Sequence, residues 1–305
     1  MIEDDSGFGP SGPIRGYSRS CAERPCEVRS GLLIPYGCEA RLSCRRRSGH
    51  GRPDDLAGRY PRPPSSDTGY PTIAAVGNEA AAVGSGDRAL DIGAGTGTEV
   101  LELADRVGPD GEAVGIDPNP AMVDVANSRA AAAGSRARFV RGDTYHLPFP
   151  DGFFDVVRCE RVYQHLDHPA TATAEIGRVL RPGGRALLVD SDWATAIVHP
   201  GDPGTIARLA AVLRSLGPNP YSGRLLRGLL TAAGFSIASI GSEAMICDPR
   251  TARILFAPVI YRALADGVIT EDEWMALLSE LKIGITSGDY HFSVTMFAVL
   301  GHRMP

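Results

Sequence analysis

A glycine-rich turn is the part of this sequence whose residue types point most directly to ligand binding. Gly93, Gly95 and Gly97 follow the short apolar run Ala89–Ile92, and Thr98–Ala104 then has the apolar spacing of a helix. Glycine tolerates positive φ and lets the backbone approach a ligand, and the free N–H groups of a helix start favour polar or anionic atoms. The pattern predicts a strand–turn–helix unit that binds a nucleotide or nucleoside, although glycines at such turns can also serve packing alone.

Acidic residues end two of the strands predicted after this turn. Asp117 follows the apolar run Ala113–Ile116, about twenty residues beyond the last glycine, where a carboxylate can accept hydrogen bonds from both ribose hydroxyls. Asp143 ends the next predicted strand, Ala137–Asp143. The carboxyl ends of parallel strands lie at one edge of a sheet, so we expect the glycine turn and both acids to surround one ligand.

Strands and helices alternate from Gly86 onward, which predicts an α/β fold with a parallel sheet and helices on both faces. We expect the fifth strand at Arg185–Asp190 and the last two strands at Phe235–Ile246 and His291–Gly301. Between the last two strands the sequence has a helical pair, residues 250–284. We interpret this pair as an insertion that covers a substrate, with packing as extra core as the alternative.

From Gly86 to Gly184 these motifs stand in the order found in class I S-adenosylmethionine-dependent methyltransferases. The sequence resembles the branch that contains ubiquinone/menaquinone-biosynthesis and natural-product small-molecule methyltransferases. The resemblance implies a Rossmann-like, seven-stranded, mostly parallel sheet with an antiparallel last strand. It also implies S-adenosyl-L-methionine as co-substrate and methyl transfer to an O, N or C atom of a small aromatic or lipophilic metabolite, in secondary metabolism.

The resemblance also assigns site residues. The turn Asp91–Gly97 would enclose the methionine part of the cofactor, Asp117 would bind the ribose, and Asp143 would bind the adenine amino group. Glu160–His165 would lie where the loop after the fourth strand faces the sulfonium and the acceptor. No metal is expected. The expected cofactor-binding residues are Asp91, Gly93, Ala94, Gly95, Thr96, Gly97, Asp117, Pro118, Gly142, Asp143, Thr144 and Glu160.

Methyl transfer from a sulfonium is an in-line displacement, so the protein mainly has to align the reacting atoms and exclude water. A hydroxyl or protonated nitrogen acceptor would need a base, for which His165 is the first candidate, although a histidine there can also cap the next helix. A carbon acceptor would need aromatic faces, for which Tyr163 and Trp193 are candidates; simple packing is the alternative for Trp193. The expected catalytic residues are His165, Tyr163 and Trp193, and the further base candidates are His168, Asp190, Asp192 and His199.

Composition limits the remaining possibilities. The 305 residues are 43% hydrophobic, enough for one large core or two smaller ones, and the net charge of −5 argues against nucleic acid as a partner. No run of eighteen apolar residues predicts a membrane span, and no secretory leader is evident, so we expect a cytoplasmic protein. The expected partner is a small-molecule methyl acceptor, and a homodimer is left open. Cys159 and Cys247 are interpreted as buried apolar residues.

Residues 1–69 are rich in Gly, Pro, Ser and Arg and lack apolar periodicity. We interpret them as a low-complexity, disordered extension before a methyltransferase domain at 70–305, with a basic RNA-binding arm as the alternative. Four cysteines in this extension lack the spacing of a zinc site. Tyr70–Val83 is the one segment before the first strand that could supply a covering helix.

Two other functions share parts of the pattern. A nicotinamide-dependent oxidoreductase has the glycine turn and the acid after the second strand, but two residues normally separate its second pair of glycines. Here one residue separates Gly95 from Gly97. A protein that binds the cofactor without catalysis is also left open, because only Tyr70–Val83 could supply a helix that covers the site.

Overall fold

The computed structural model describes residues 81–305. The predicted extension 1–69, its cysteines and most of the candidate helix Tyr70–Val83 lie outside the described residues. The described end of that segment is not helical: Ala81 and Ala82 form a turn in which Ala82 has a φ of 45°.

Seven strands form one sheet within residues 81–305, in the order β3-β2-β1-β4-β5-β7-β6. Strands β1 to β5 run parallel to one another, and β7 is antiparallel to both β5 and β6. This arrangement confirms the predicted Rossmann-like fold class. The strands are β1 (Arg88–Ile92), β2 (Glu112–Asp117), β3 (Arg138–Arg141), β4 (Phe154–Glu160), β5 (Leu180–His199), β6 (Phe235–Ile246) and β7 (His291–Arg303).

Helices cover both faces of the sheet, because the buried side chains of β1 point alternately to the two faces. Leu90 packs into a core on one face, whereas its neighbour Ala89 packs into a core on the other face. The helices are α1 (Thr98–Val107), α2 (Pro120–Ala133), α3 (Pro169–Val179), α4 (Pro203–Ser215), α5 (Ser222–Ala232), α6 (Pro249–Ala265) and α7 (Glu271–Ser287). Helices α1 and α2 cover the Ala89 face, and α3 and α5 cover the Leu90 face.

Strand β5 is much longer than the predicted segment Arg185–Asp190, because it continues to His199. Its register against β7 shifts between Asp192 and Ile197, and pairing with β7 then resumes. In the sequence, the polar residues 190–192 suggested that the strand ends there. In the structure they are buried inside the strand, and the Asp192 carboxylate pairs with Arg224 of α5. The extension of β5, together with long β6 and β7 strands, carries the sheet beyond the Rossmann-like core.

Helices α4, α6 and α7 pack together at this extended end and form a separate apolar cluster. Strand β6 ends and β7 begins beside the last residues of β5, so α6 and α7 lie at the carboxyl-terminal edge of the parallel strands. We call α4, α6 and α7 the cap. No helix among residues 81–305 is long and apolar enough to cross a membrane.

Candidate active site

The glycine turn after β1 combines an open position with a closely packed one. Gly95 has a φ of 51°, and a Cβ atom added there would meet no heavy atom within 4 Å. Gly97 has a φ of 82° and caps α1, and a Cβ there would lie 2.5 Å from Cζ of Phe139. Gly97 therefore permits close packing of the turn on β3, whereas the space beside Gly95 can admit a ligand.

Asp117 joins the turn to the carboxyl ends of β2 and β3. Its Oδ2 accepts a hydrogen bond of 2.9 Å from the Gly95 N–H, and its Oδ1 accepts one of 2.9 Å from the Asn119 N–H. Its backbone oxygen accepts a bond of 3.2 Å from the Gly142 N–H. The Gly93 and Ala94 N–H groups donate to the Ile116 oxygen at 2.8 and 3.0 Å. The carboxylate and the backbone of β2 at Ile116 and Asp117 therefore hold three strand ends together.

The segment after β3 contains a buried polar atom without a partner. Asp143 is exposed, and its Oδ1 accepts hydrogen bonds from the N–H groups of Tyr145 and His146 at 2.8 and 3.1 Å. Thr144 is buried, and its Oγ1 has no hydrogen-bond partner. Because an unsatisfied buried hydroxyl is costly, it indicates a missing polar ligand or water. The free Asp143 Oδ2 and this hydroxyl fit the polar edge of an adenosyl group.

Thr96 and Pro118 lie exposed on either side of this arrangement. Arg129 of α2 clamps the turn, since its Nη1 donates to the backbone oxygen and Oγ1 of Thr96 at 2.7 and 2.9 Å. It also donates to Thr98 Oγ1 at 3.0 Å. The sequence analysis missed Arg129, which lies in an alanine-rich helix without a motif to identify it.

Asp91 does not lie exposed at the turn, contrary to the expectation that it contacts the cofactor. Its side chain is buried, and its Oδ1 accepts a hydrogen bond of 3.1 Å from Arg158 of β4. Arg158 also contacts Glu160, and its Nη2 lies 3.3 Å from Oε2 of Glu99 in α1. Burial raises the pKa of Asp91 to about 6, and Arg158 opposes this rise. Asp91 is therefore a support beneath the turn, whereas Glu160 remains partly exposed at the end of β4.

Tyr163 is also placed differently from the expectation, because its side chain is fully buried in the core. Its hydroxyl shares a hydrogen bond of 2.8 Å with Thr173 Oγ1 of α3. Burial raises its pKa far above the usual value, so it cannot act as a base near neutral pH. Its aromatic face likewise cannot contact an acceptor. The alternation of apolar residues could not reveal this, since the residue lies in a short 3-10 turn, Tyr163–His165.

His165 ends this 3-10 turn and is exposed. Neighbouring atoms nevertheless remove enough water from its imidazole to lower its pKa, so the neutral form predominates at pH 7. The next helix, α3, has His168 at its N-cap without a side-chain capping bond, so His165 does not cap it. Asp190 of β5 fixes the turn because its Oδ2 accepts a 3.0 Å bond from the Gln164 N–H. Burial raises the pKa of Asp190 to about 6.

Trp193 lies within β5 and not after it, and its side chain is partly buried. The indole N–H donates a hydrogen bond of 2.6 Å to Gln164 Oε1, and the ring packs in a cluster with Phe292. Trp193 therefore connects the turn that carries His165 with the start of β7. Among the other base candidates, His199 pairs with Asp289 at 3.2 Å, whereas Asp190 and Asp192 are buried and bonded.

A cavity of about 920 Å³ lies between the cap helices and the extended strands. The expected cover at residues 250–284 supplies two of its walls, and α4 supplies a third that was not predicted. Residues that line it include Ala196 and Val198 of β5, Leu209 and Leu213 of α4, Phe256 and Ile260 of α6, Trp274 and Leu281 of α7, and Tyr290 and Phe292. The volume suits a small-molecule ligand.

Comparison with known proteins agrees with this geometry. A family model described as a methyltransferase domain matches residues 90–188. An uncharacterized methyltransferase of Schizosaccharomyces pombe is 31% identical over 199 residues, which are 61% of this chain and 71% of that protein. The chain belongs to the S-adenosylmethionine-dependent methyltransferases. S-adenosyl-L-methionine is its co-substrate.

Other relatives match less of their own length. An uncharacterized 37.1 kDa protein in a transposon of Streptomyces fradiae is 38% identical over 222 residues, and the match spans 72% of this chain and 64% of that protein. The demethylmenaquinone methyltransferase of Deinococcus radiodurans is 41% identical over 103 residues, 34% of this chain and 42% of its own length. The crystal structure of a Bacillus halodurans protein named as a methyltransferase covers 76% of this chain and 99% of its own, with 20% identity and a TM-score of 0.55. That structure supports the fold.

Proposed function

We propose that this methyltransferase transfers the methyl group to an O, N or C atom of a small aromatic or lipophilic metabolite by in-line displacement. The observation that supports this most strongly is the joined carboxyl ends of β1, β2 and β3, with the orphaned Thr144 hydroxyl and the open space beside Gly95. The large apolar cavity at the same sheet edge supports a lipophilic acceptor. The demethylmenaquinone methyltransferase relative is named for such an acceptor, but it matches over only part of its length.

In this proposal the chain holds the donor with its backbone and its acids. The turn Gly93–Gly97 encloses the methionine part, the half-buried Asp117 accepts from the ribose hydroxyls, and Asp143 and Thr144 bind the adenine edge. When bound, S-adenosyl-L-methionine supplies the activated methyl group. Carboxylates that stabilise its positive charge in the ground state would slow transfer, so their place on the ribose and adenine is favourable.

His165 is the proposed base for an acceptor with a removable proton, because it is exposed, largely neutral at pH 7 and fixed through Gln164. For a carbon acceptor, the ring of Trp193 can shelter cationic character. Strand β5 positions both residues: Asp190 fixes the turn that carries His165, and Trp193 is part of the strand. We place the reaction in the cytoplasm and in secondary metabolism, the setting of the natural-product enzymes that the sequence resembles.

Two measurements test the proposal. Calorimetry should show binding of S-adenosylhomocysteine and no binding of NAD. Methyl transfer from labelled donor should then be measured across a panel of phenols, quinols, amines and lipophilic acids. Donor binding without transfer to any member of a broad panel would contradict the proposed acceptor class and favour a cofactor-binding protein without catalysis.

A further inference from the structure

The cap cavity is apolar along most of its wall but carries basic side chains at one end. Arg250, Arg253 and Lys282 line it together with many aliphatic and aromatic residues, and no Asp or Glu side chain of the described chain lines it. Lys282 is the only lysine among the 305 residues. None of the three side chains makes an ion pair with a described residue. The cavity wall therefore combines hydrocarbon surface with uncompensated positive charge.

The topology places these cations at the same end of the cap. Helix α6 begins just after β6, α7 ends just before β7, and Ile246 at the end of β6 pairs with Ser293 near the start of β7. Arg250 and Arg253 lie in the first turns of α6, and Lys282 lies in the second half of α7. Because the two helices return to neighbouring strands, these three exposed residues lie at the end of the hairpin nearest the sheet. The opposite end of the hairpin carries the Arg262–Asp266 ion pair and the acidic first turn of α7, Glu271–Glu273.

Tyr290 adds an unsatisfied donor at the cationic end. Its hydroxyl oxygen is buried without a hydrogen-bond partner, and the residue lines the cavity just before β7. Burial raises its pKa, so it stays protonated and can donate. Asp248 is a nearby acid that caps α6 by accepting bonds from the Arg250 and Thr251 N–H groups, and its one negative charge leaves the three cations in excess. An anionic group would satisfy the tyrosine and the cations together.

We propose that the cap cavity binds an amphiphilic anion, with its hydrocarbon body along the apolar wall toward Trp274 and its carboxylate or phosphate among Arg250, Arg253, Lys282 and the Tyr290 hydroxyl. This inference rests on the proposed function, since it defines the class of methyl acceptor. The cationic end adjoins the site of transfer: Phe292 of the cavity wall packs with Trp193, whose indole is bonded to Gln164. Charge complementarity selects this occupant over a neutral lipid or a partner helix.

Direct binding of dodecanoate, dodecyl phosphate and dodecan-1-ol to the full chain tests the proposal, each below its critical micelle concentration. Trp193 and Trp274 are the two tryptophans, so Trp193→Phe leaves a single fluorophore in the cavity wall. We expect one anionic ligand per chain and at least tenfold weaker binding of the alcohol. Whichever anion binds more tightly identifies the head group as carboxylate or phosphate.

Variants separate the head-group contacts from the hydrocarbon contacts. Lys282→Gln and Arg253→Gln should each weaken dodecanoate binding about three- to tenfold and leave dodecan-1-ol unchanged. Ala210→Trp, which fills the cavity, should abolish binding of all three ligands. Arg227→Gln, an exposed arginine of α5 outside the cavity, is the matched control and should have no effect.

Equal affinity for the alcohol and the carboxylate, or unchanged dodecanoate binding in Lys282→Gln/Arg253→Gln, would overturn the anion assignment. Absence of binding by all three ligands, in a protein that still binds S-adenosylhomocysteine, would overturn the cavity as a ligand site and leave methyl transfer standing. Loss of S-adenosylhomocysteine binding from the unmodified chain would instead refute the proposed function, while the dodecanoate titration would still decide the cavity.

Discussion

Replacing Asp117 with alanine is expected to weaken binding of S-adenosylhomocysteine by about 1–3 kcal/mol, or roughly 5- to 150-fold. The substitution removes the acceptor for two backbone N–H groups, those of Gly95 and Asn119, each bonded at 2.9 Å. Asp117 is only half-buried, so water can partly replace these two bonds. The larger part of the loss should arise in the complex, where the ribose hydroxyls would have no charged acceptor.

A ligand cycle distinguishes these two contributions. If Asp117 binds the ribose, Asp117→Ala should cost less affinity for the 2′-deoxy analogue of S-adenosylhomocysteine than for the parent ligand. If the residue only fixes the turn, both ligands should lose the same free energy. Asp117→Asn keeps one carbonyl acceptor and should fall between the wild type and alanine.

Calorimetric titration at constant ionic strength measures each affinity. Asp105→Ala is the matched control, because Asp105 is an exposed acid of α1 without a side-chain bond in the described structure. It removes the same charge without touching the turn. Wild-type affinity in Asp117→Ala, or equal losses for both ligands, would refute the ribose assignment.

Three further outcomes are expected. Gly97→Ala should lower the free energy of unfolding, measured in urea, by about 1–3 kcal/mol. Its φ is 82°, and the new Cβ would lie 2.5 Å from an aromatic carbon of β3. The control Gly228→Ala, at a helical position with open space around it, should be neutral or stabilising. Arg158→Met should destabilise by about 3–5 kcal/mol at pH 8. That loss should shrink as the pH falls from 8 toward 6, because buried Asp91 without Arg158 takes up its proton at a higher pH than in the wild type; a loss independent of pH would contradict the pairing. If His165 is the base, kcat/KM should fall with acid below pH 6.5 as the imidazole is protonated, and His165→Gln should remove that dependence.

Local sequence signals were sufficient for the parallel core of the fold, and they suggested where the donor binds. The apolar run before Gly93 and the acid at Asp117 depend on short-range rules: strand burial, turn conformation and spacing within one βαβ unit. These rules predicted the parallel sheet with helices on both faces, whereas the count of seven strands and the antiparallel last strand came from the family resemblance; the structure confirms both. The residues proposed to bind the cofactor are described by the structure but their contacts with it remain predictions.

Contacts between distant elements account for what the sequence could not provide. Asp91 belongs to the glycine-turn motif, yet its burial follows from Arg158, 67 residues away on β4. Tyr163 stands in a loop pattern, yet its hydroxyl is bonded inside the core to Thr173. Strand β5 was cut short because Asp190 and Asp192 are polar, and only their partners on other elements allow them to be buried within a strand.

The long strand β5 also connects the two parts of the proposed site. At Asp190 the strand fixes the turn that carries His165, three residues later Trp193 bonds to that turn, and at Val198 it forms part of the cavity wall. In the proposed site, a single strand therefore sets the distance between the base and the acceptor. The proposed donor site uses the ends of β1, β2 and β3 instead, so substitutions within residues 193–198 should alter acceptor recognition while donor affinity is retained. This separation explains how one donor site can be combined with a cap of different specificity.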